Sequence, residues 1–215
     1  MPSKLCAICG NKPATTDDHI PPKGIYPKPR DNDSNLNTVP ACSECNNEAS
    51  PGDEEFKVFI GFSTGEFRQN TDAVLNSMAR TVGGNWKIAR QIFSTKADVY
   101  ARLHGVVAEP AVAVEFSGKN ICAVFDRIIR GLYWMEKGKA LGLSPKIRIF
   151  PFHSMDVAFH RSMKELMDCL EPKKLNKDSF IYKVCFLEDG SSIWGIQFFN
   201  VSQTTTFAYA EAPKT

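Results

Sequence analysis

Two short strings near the start of the chain, Cys6-Ala7-Ile8-Cys9 and Cys42-Ser43-Glu44-Cys45, decide how the rest is read. Each pair sets two thiols to grip one edge of a tetrahedral metal, and two such knuckles complete a four-sulfur site. Soft thiolates in that array favour zinc. The competing reading is two local disulfides, or four unrelated thiols. The repeated spacing and a reducing compartment argue against it. Residues 1–50 are rich in Cys, Pro, Asn and Asp and poor in periodic apolar residues, so they need such a staple to fold. A staple has no activity of its own, and the chemistry must come from what it holds.

The chain has 215 residues, of which 43% are hydrophobic and 23% charged. That fits one domain, or one domain carrying a small module. No apolar run is long enough to span a membrane, and MPSKLCAICG lacks the apolar core of a secretory signal. A cytoplasmic protein is therefore expected, with its seven cysteines as thiols or metal ligands. The net charge of +2 announces no polyanion partner, but it divides unevenly. Residues 1–55 carry five Lys/Arg against nine Asp/Glu, a net of −4, and the remaining 21 against 15 make +6. An acidic front suits metal chemistry and a basic remainder suits a polyanion.

The expected fold class is α+β. A zinc-stapled module occupies residues 1–62, a helical segment 63–108, and an α+β body 109–215. A helix opens with Ser50 as N-cap, Pro51 at its first position and Asp53, Glu54 and Glu55 in its first turn, and ends at Gly61 or Gly65. Two or three helices over 70–105 break near Gly83-Gly84. Strands are expected at Ala111–Phe116 and Ile147–Phe152. Between them Ile121, Val124, Phe125, Ile128, Leu132 and Met135 mark a long helix. Another helix runs from about Ser154 to Leu170. The C-terminus reads as an antiparallel meander, Tyr182–Glu188, Ile193–Asn200 and Thr204–Ala210, with Asp189-Gly190 as a two-residue hairpin turn. Cys122, Cys169 and Cys185 lie in apolar patterns and read as core. His104, His153 and His160 are scattered and read as structural or surface residues.

Between the knuckles lies Thr15-Thr16-Asp17-Asp18-His19-Ile20-Pro21-Pro22, followed by Asn35-Leu36-Asn37-Thr38-Val39-Pro40-Ala41 and, after Cys45, Asn46. On a regular strand Asp18 and His19 point to opposite sides. At a strand end, where Pro21 turns the chain, they can converge on one target. The order of knuckle, Asp-His, Asn-Leu strand, knuckle and Asn resembles the HNH endonuclease family, in its zinc-knuckle subtype with the ββα-metal fold. The string CAIC…DHIPPKGI…TVPAC..CNN…DEEF resembles uncharacterised bacterial HNH proteins. The resemblance covers roughly residues 5–60.

The resemblance implies an activity and a set of roles. His19 stands where the family has its general base, which takes a proton from the water that attacks phosphorus. Asp18 and Asn46 stand where the family holds a catalytic divalent cation, Mg²⁺ or Mn²⁺, beside the structural Zn²⁺ of Cys6, Cys9, Cys42 and Cys45. The middle Asn of the motif, which orients the base, is Asn35 or Asn37. Asp53, Glu54 or Glu55 either assists the cation or caps its own helix. The implied partner is nucleic acid, DNA ahead of RNA, in phage defence or a mobile element; a non-catalytic zinc module is the alternative.

A small acidic module needs help to hold a polyanion. Arg80, Lys87 and Arg90, together with Lys96 and Arg102, offer one basic stretch. Arg127 and Arg130, beside Tyr133 and Trp134, offer another.

Overall fold

The computed structural model describes residues 4–27, 36–47, 50–64, 72–101, 109–151, 157–176, 179–200 and 205–213. Strands β1 (Thr16–His19) and β2 (Thr38–Ala41) form an antiparallel pair in which Asp18 lies opposite Val39 and His19 opposite Thr38. The short helix α1 (Ser43–Asn47) and the longer α2 (Ser50–Thr64) follow. Next come α3 (Asp72–Gly84), α4 (Trp86–Thr95) and a separate hairpin of β3 (Ala97–Ala101) and β4 (Glu109–Ala113). The remainder is α5 (Gly118–Lys137), β5 (Ile147–Pro151), α6 (Val157–Asp168), β6 (Lys173–Leu175), β7 (Phe180–Phe186), β8 (Ser192–Phe198) and β9 (Thr206–Ala210). The last five strands form one antiparallel sheet in the order β5-β9-β8-β7-β6.

Helix α5 organises the molecule. Ser117 caps its start by accepting from the Asn120 N–H, and Gly138, in the left-handed region at φ 65°, closes its end through an N–H bond to the Trp134 carbonyl. Its apolar positions Ile121, Val124, Phe125, Ile128 and Leu132 are all buried. Phe125 meets Phe56 of α2 edge-on at 4.9 Å between ring centres and Phe198 of β8 at 6.2 Å. Cys6, Ile20 and Val39 of the N-terminal segment join the same core as Phe56, Phe125, Trp194 and Phe198. The knuckle segment, poor in apolar residues of its own, is thus held by a core that the rest of the chain supplies.

Several expectations shift. The stretch 70–105 holds two described helices, and Ala97–Ala101 is a strand, because Val99 and Tyr100 pair with Ala111 and Pro110 in the hairpin. The strand expected at Ala111–Phe116 runs instead over Glu109–Ala113, and β6 is an additional edge strand. The β7–β8 turn is longer than two residues. Leu187 N–H bonds the Ser191 carbonyl, Gly190 N–H bonds the Leu187 carbonyl, and Gly190 takes φ 82°. A three-residue loop with glycine in the left-handed position has that pattern. Cys169 is exposed at the end of α6, while Cys122 and Cys185 are half-buried.

Candidate metal centre and active site

The two knuckles meet. The sulfurs of Cys6, Cys9, Cys42 and Cys45 lie within 4.8 Å of one another, and those of Cys9 and Cys42 are 4.0 Å apart. Thiolates bound at about 2.3 Å to one tetrahedral zinc stand roughly 3.8 Å apart, so the cluster fits a metal such as zinc. The first knuckle closes through Cys6 N–H to the Lys12 carbonyl and Gly10 N–H to the Cys6 carbonyl, with Gly10 at φ 73°. Ala7 N–H donates to the Pro40 carbonyl and fastens this knuckle to β2. Burial pushes the Cys6 and Cys45 thiols up. Burial acts the same way on Cys9, but hydrogen bonds from the backbone at Asn11 and Lys12 outweigh it and bring that thiol down to about 7. Among the described residues this is the one group of three or more His, Cys, Asp or Glu side chains placed to hold a metal.

Asp18 turns inward from β1 and is only 5% exposed. Its Oδ2 lies 3.2 Å from Nε of Arg127 on α5, which is 6% exposed, and Arg127 Nη2 donates to Asp53 of α2 at 2.6 Å. Charge holds Asp18 and Arg127 together although Asp18 Oδ2 and Arg127 Nε complete no hydrogen bond. Burial pushes the Asp18 carboxyl up to about 6; Arg127 opposes that rise and Asp53 adds to it. Two carboxylates therefore share one guanidinium under the end of β1.

His19 is half-buried at the last position of β1, where the strand ends before Pro21. Neighbouring strand residues alternate in direction, so Asp18 and His19 leave β1 on opposite sides. Asn46 reaches back from α1: its Nδ2 donates to Thr16 Oγ1 at 3.1 Å and to the Asp17 carbonyl at 3.2 Å. Asn37 gives its carbonyl to Ile20 N–H, while its own backbone and side-chain N–H groups donate to Asn176 Oδ1. Asn176 in turn donates to the Tyr26 hydroxyl at 2.6 Å, so the loop after β6 clasps the hairpin. Asn35, the other candidate for the middle Asn, lies outside the described residues, as do Arg102, His104 and His153.

The acidic trio after α1 separates by role. Asp53 belongs to the Arg127 network. Glu54 accepts from Asn85 at 2.6 Å. Glu55 is buried and accepts from Gln91, Ser117 N–H and Asn120, tying α2 to α4 and α5.

Arg127 and Arg130 do not meet the expectation of phosphate contacts. Both are buried and occupied, so neither offers an exposed guanidinium to phosphate. Arg130 pairs with Asp126 at 2.6 Å and also donates to the Gly142 and Pro145 carbonyls. Position 127 borders the apolar face of α5 next to Val124, and the sequence shows no partner for it nearby. Arg80, Lys87 and Arg90 are exposed. Asn176, Tyr26 and the Asp53–Arg127 pair carry no local signal, because their partners lie far along the chain.

No helix among the described residues is long and apolar enough to cross a membrane. No family model, curated protein or solved structure matches the chain.

Proposed function

We propose that the chain is a metal-dependent endonuclease of the HNH kind that hydrolyses phosphodiester bonds in DNA. The observation that supports this best is the setting of His19. It ends a strand held between two cysteine knuckles, with Asn46 bonded back onto that strand from the helix that follows. The resemblance read from the sequence gives these same residues their roles.

His19 would take the proton from an attacking water, a task that suits imidazole near neutral pH. The resemblance would make Asp18 and Asn46 oxygen donors for a hard cation, Mg²⁺ or Mn²⁺, although Asp18 is buried against Arg127 on the side of β1 away from His19. Such a cation, when bound, stabilises negative charge on the phosphate and on the leaving oxygen. Arg127 and Asp53 would fix Asp18 from the core side, and Asn37 would hold the hairpin to the C-terminal sheet. Zinc in the four-cysteine cluster would keep both strands in register.

One observation favours a second reading, a non-catalytic zinc module that binds nucleic acid or protein. Asp18 faces Arg127 inside the molecule, where an ion pair gives it a purely structural reason to exist. Incubation with end-labelled duplex DNA and Mg²⁺ or Mn²⁺ separates the two. The nuclease reading expects metal-dependent products ending in 5′-phosphate and 3′-hydroxyl. No product from DNA or RNA by the folded, zinc-loaded protein contradicts it.

A further inference from the structure

Helix α4 has two faces of opposite character. Ile88 and Ile92 pack inward with Val58, and Asn85 caps the helix by accepting from Lys87 and Ile88 N–H. On the other side Trp86, Arg90 and Phe93, at i, i+4 and i+7, share one stripe. Trp86 is 65% exposed and Phe93 is 67% exposed, and the Arg90 guanidinium stands 5.6 Å from the Trp86 ring centre. In β3, which follows at once, Tyr100 is 79% exposed. Large aromatics left this open are uncommon on a surface that has nothing to bind.

The charge around the stripe says what covers it. Arg80, Lys87, Arg90 and Lys96 are all exposed, and Asp98 is the one acid between residues 80 and 101. A protein partner of ordinary composition does not call for interleaved cations and open rings. A single strand of nucleic acid does, because its bases stack on aromatic rings and its backbone seeks Lys and Arg. We propose that the outward face of α4, with Trp86, Arg90 and Phe93 at its centre, is a stacking platform for single-stranded nucleic acid. In naming this occupant the proposal rests on the nuclease reading above. The platform lies near the candidate site along the chain of contacts: Asn85, beside Trp86, is bonded to Glu54, and Asp53, next to Glu54 on α2, is bonded to Arg127, which faces Asp18.

The test is binding of fluorescein-labelled oligothymidylate and oligouridylate to the full chain without added divalent cation, followed by anisotropy over a range of salt. Wild type is expected to bind both with Trp fluorescence quenched, and a DNA or RNA preference separates the two sources of strand. Trp86→Ala and Phe93→Ala should each weaken binding about tenfold or more. Arg90→Gln should weaken it and flatten the salt dependence. Circular dichroism and zinc content should stay unchanged, since these side chains are exposed. The proposal is overturned if wild type does not bind, if Trp86→Ala and Phe93→Ala bind as wild type does, or if they alter only self-association in sedimentation, which would make the stripe a contact between copies. Failures of the two readings differ. Strand binding that depends on Trp86 without any cleavage sinks the nuclease reading alone. Cleavage by wild type with undiminished binding by Trp86→Ala sinks the platform alone.

Discussion

Gly131 of α5 faces Ile20 so closely that a Cβ at position 131 would lie 2.5 Å from Ile20 Cγ1 and 2.6 Å from Cδ1. Ile20 follows His19 directly, so this contact seats the end of β1 on the central helix. Glycine inside a helix costs about 0.5–1 kcal/mol against alanine. It is kept here for close approach.

Gly131→Ala regains that helix preference but overpacks the core by about 1–3 kcal/mol, so a net loss of about 1 kcal/mol is expected in urea denaturation. Ile20→Ala removes the clashing atoms and costs about 2–5 kcal/mol by itself. The double variant should be more stable than Ile20→Ala, because the methyl added at position 131 then fills part of the cavity. Additive losses would contradict the contact.

Among the described residues, Arg127 is the one cation that Asp18 and Asp53 share. Arg127→Met strips both carboxylates of their counter-charge and is expected to cost about 3–5 kcal/mol in denaturant unfolding. Arg127→Lys keeps the charge and should lose less. A loss below about 1 kcal/mol for Arg127→Met, the range of a surface pair, would contradict a buried role.

The four-cysteine cluster should carry metal in proportion to protein, measured by elemental analysis. Cobalt substituted for it should show the intense visible bands of tetrahedral thiolate coordination. Cys42→Ser or strong chelation should loosen residues 4–47, with loss beyond that segment because Cys6, Cys9 and Cys42 belong to the main core. A protein without metal that keeps full stability would contradict the staple.

At the far side of α5, Glu136 accepts from the Tyr182 hydroxyl at 2.7 Å and from Lys173 at 2.6 Å. Burial pushes its carboxyl up, but those two hydrogen bonds outweigh burial and hold it below the usual carboxylate range. A depressed carboxylate contributes stability that is present above its unfolded pKa and lost as pH falls through the folded one. Glu136→Gln should therefore lower stability at neutral pH, by under about 1 kcal/mol for so exposed a lysine partner, and make no difference in strong acid. An equal loss at both pH values would contradict the assignment.

The cysteine spacing, the long helix and the C-terminal meander were legible because each is a local pattern: a ligand pair, an apolar period of 3.6, an alternation of 2. Strand β3 was not, since Ala97–Ala101 is a short, weakly apolar stretch directly after a helix and takes its strand form from pairing with Glu109–Ala113. At the candidate site, the four-cysteine cluster could be read. The clasp of Asn37 by Asn176 and the burial of Arg127 between Asp18 and Asp53 could not, because long-range packing creates them. Arg127 and Arg130 were misread for a related reason. Arg127 only borders the apolar face of α5, and Arg130, on its opposite side, is covered by the segment whose Gly142 and Pro145 carbonyls accept from it, which counting basic residues along the chain hides.

The proposed role of His19 is that of a base in phosphodiester hydrolysis. Its most direct test is nicking of supercoiled plasmid with Mn²⁺ by wild type and His19→Ala, each shown to be folded and to hold metal in the cysteine cluster. Metal-dependent nicking by wild type is expected, with a loss of at least about a hundredfold in the variant, the usual scale of a lost general base. Equal nicking by both proteins would contradict it.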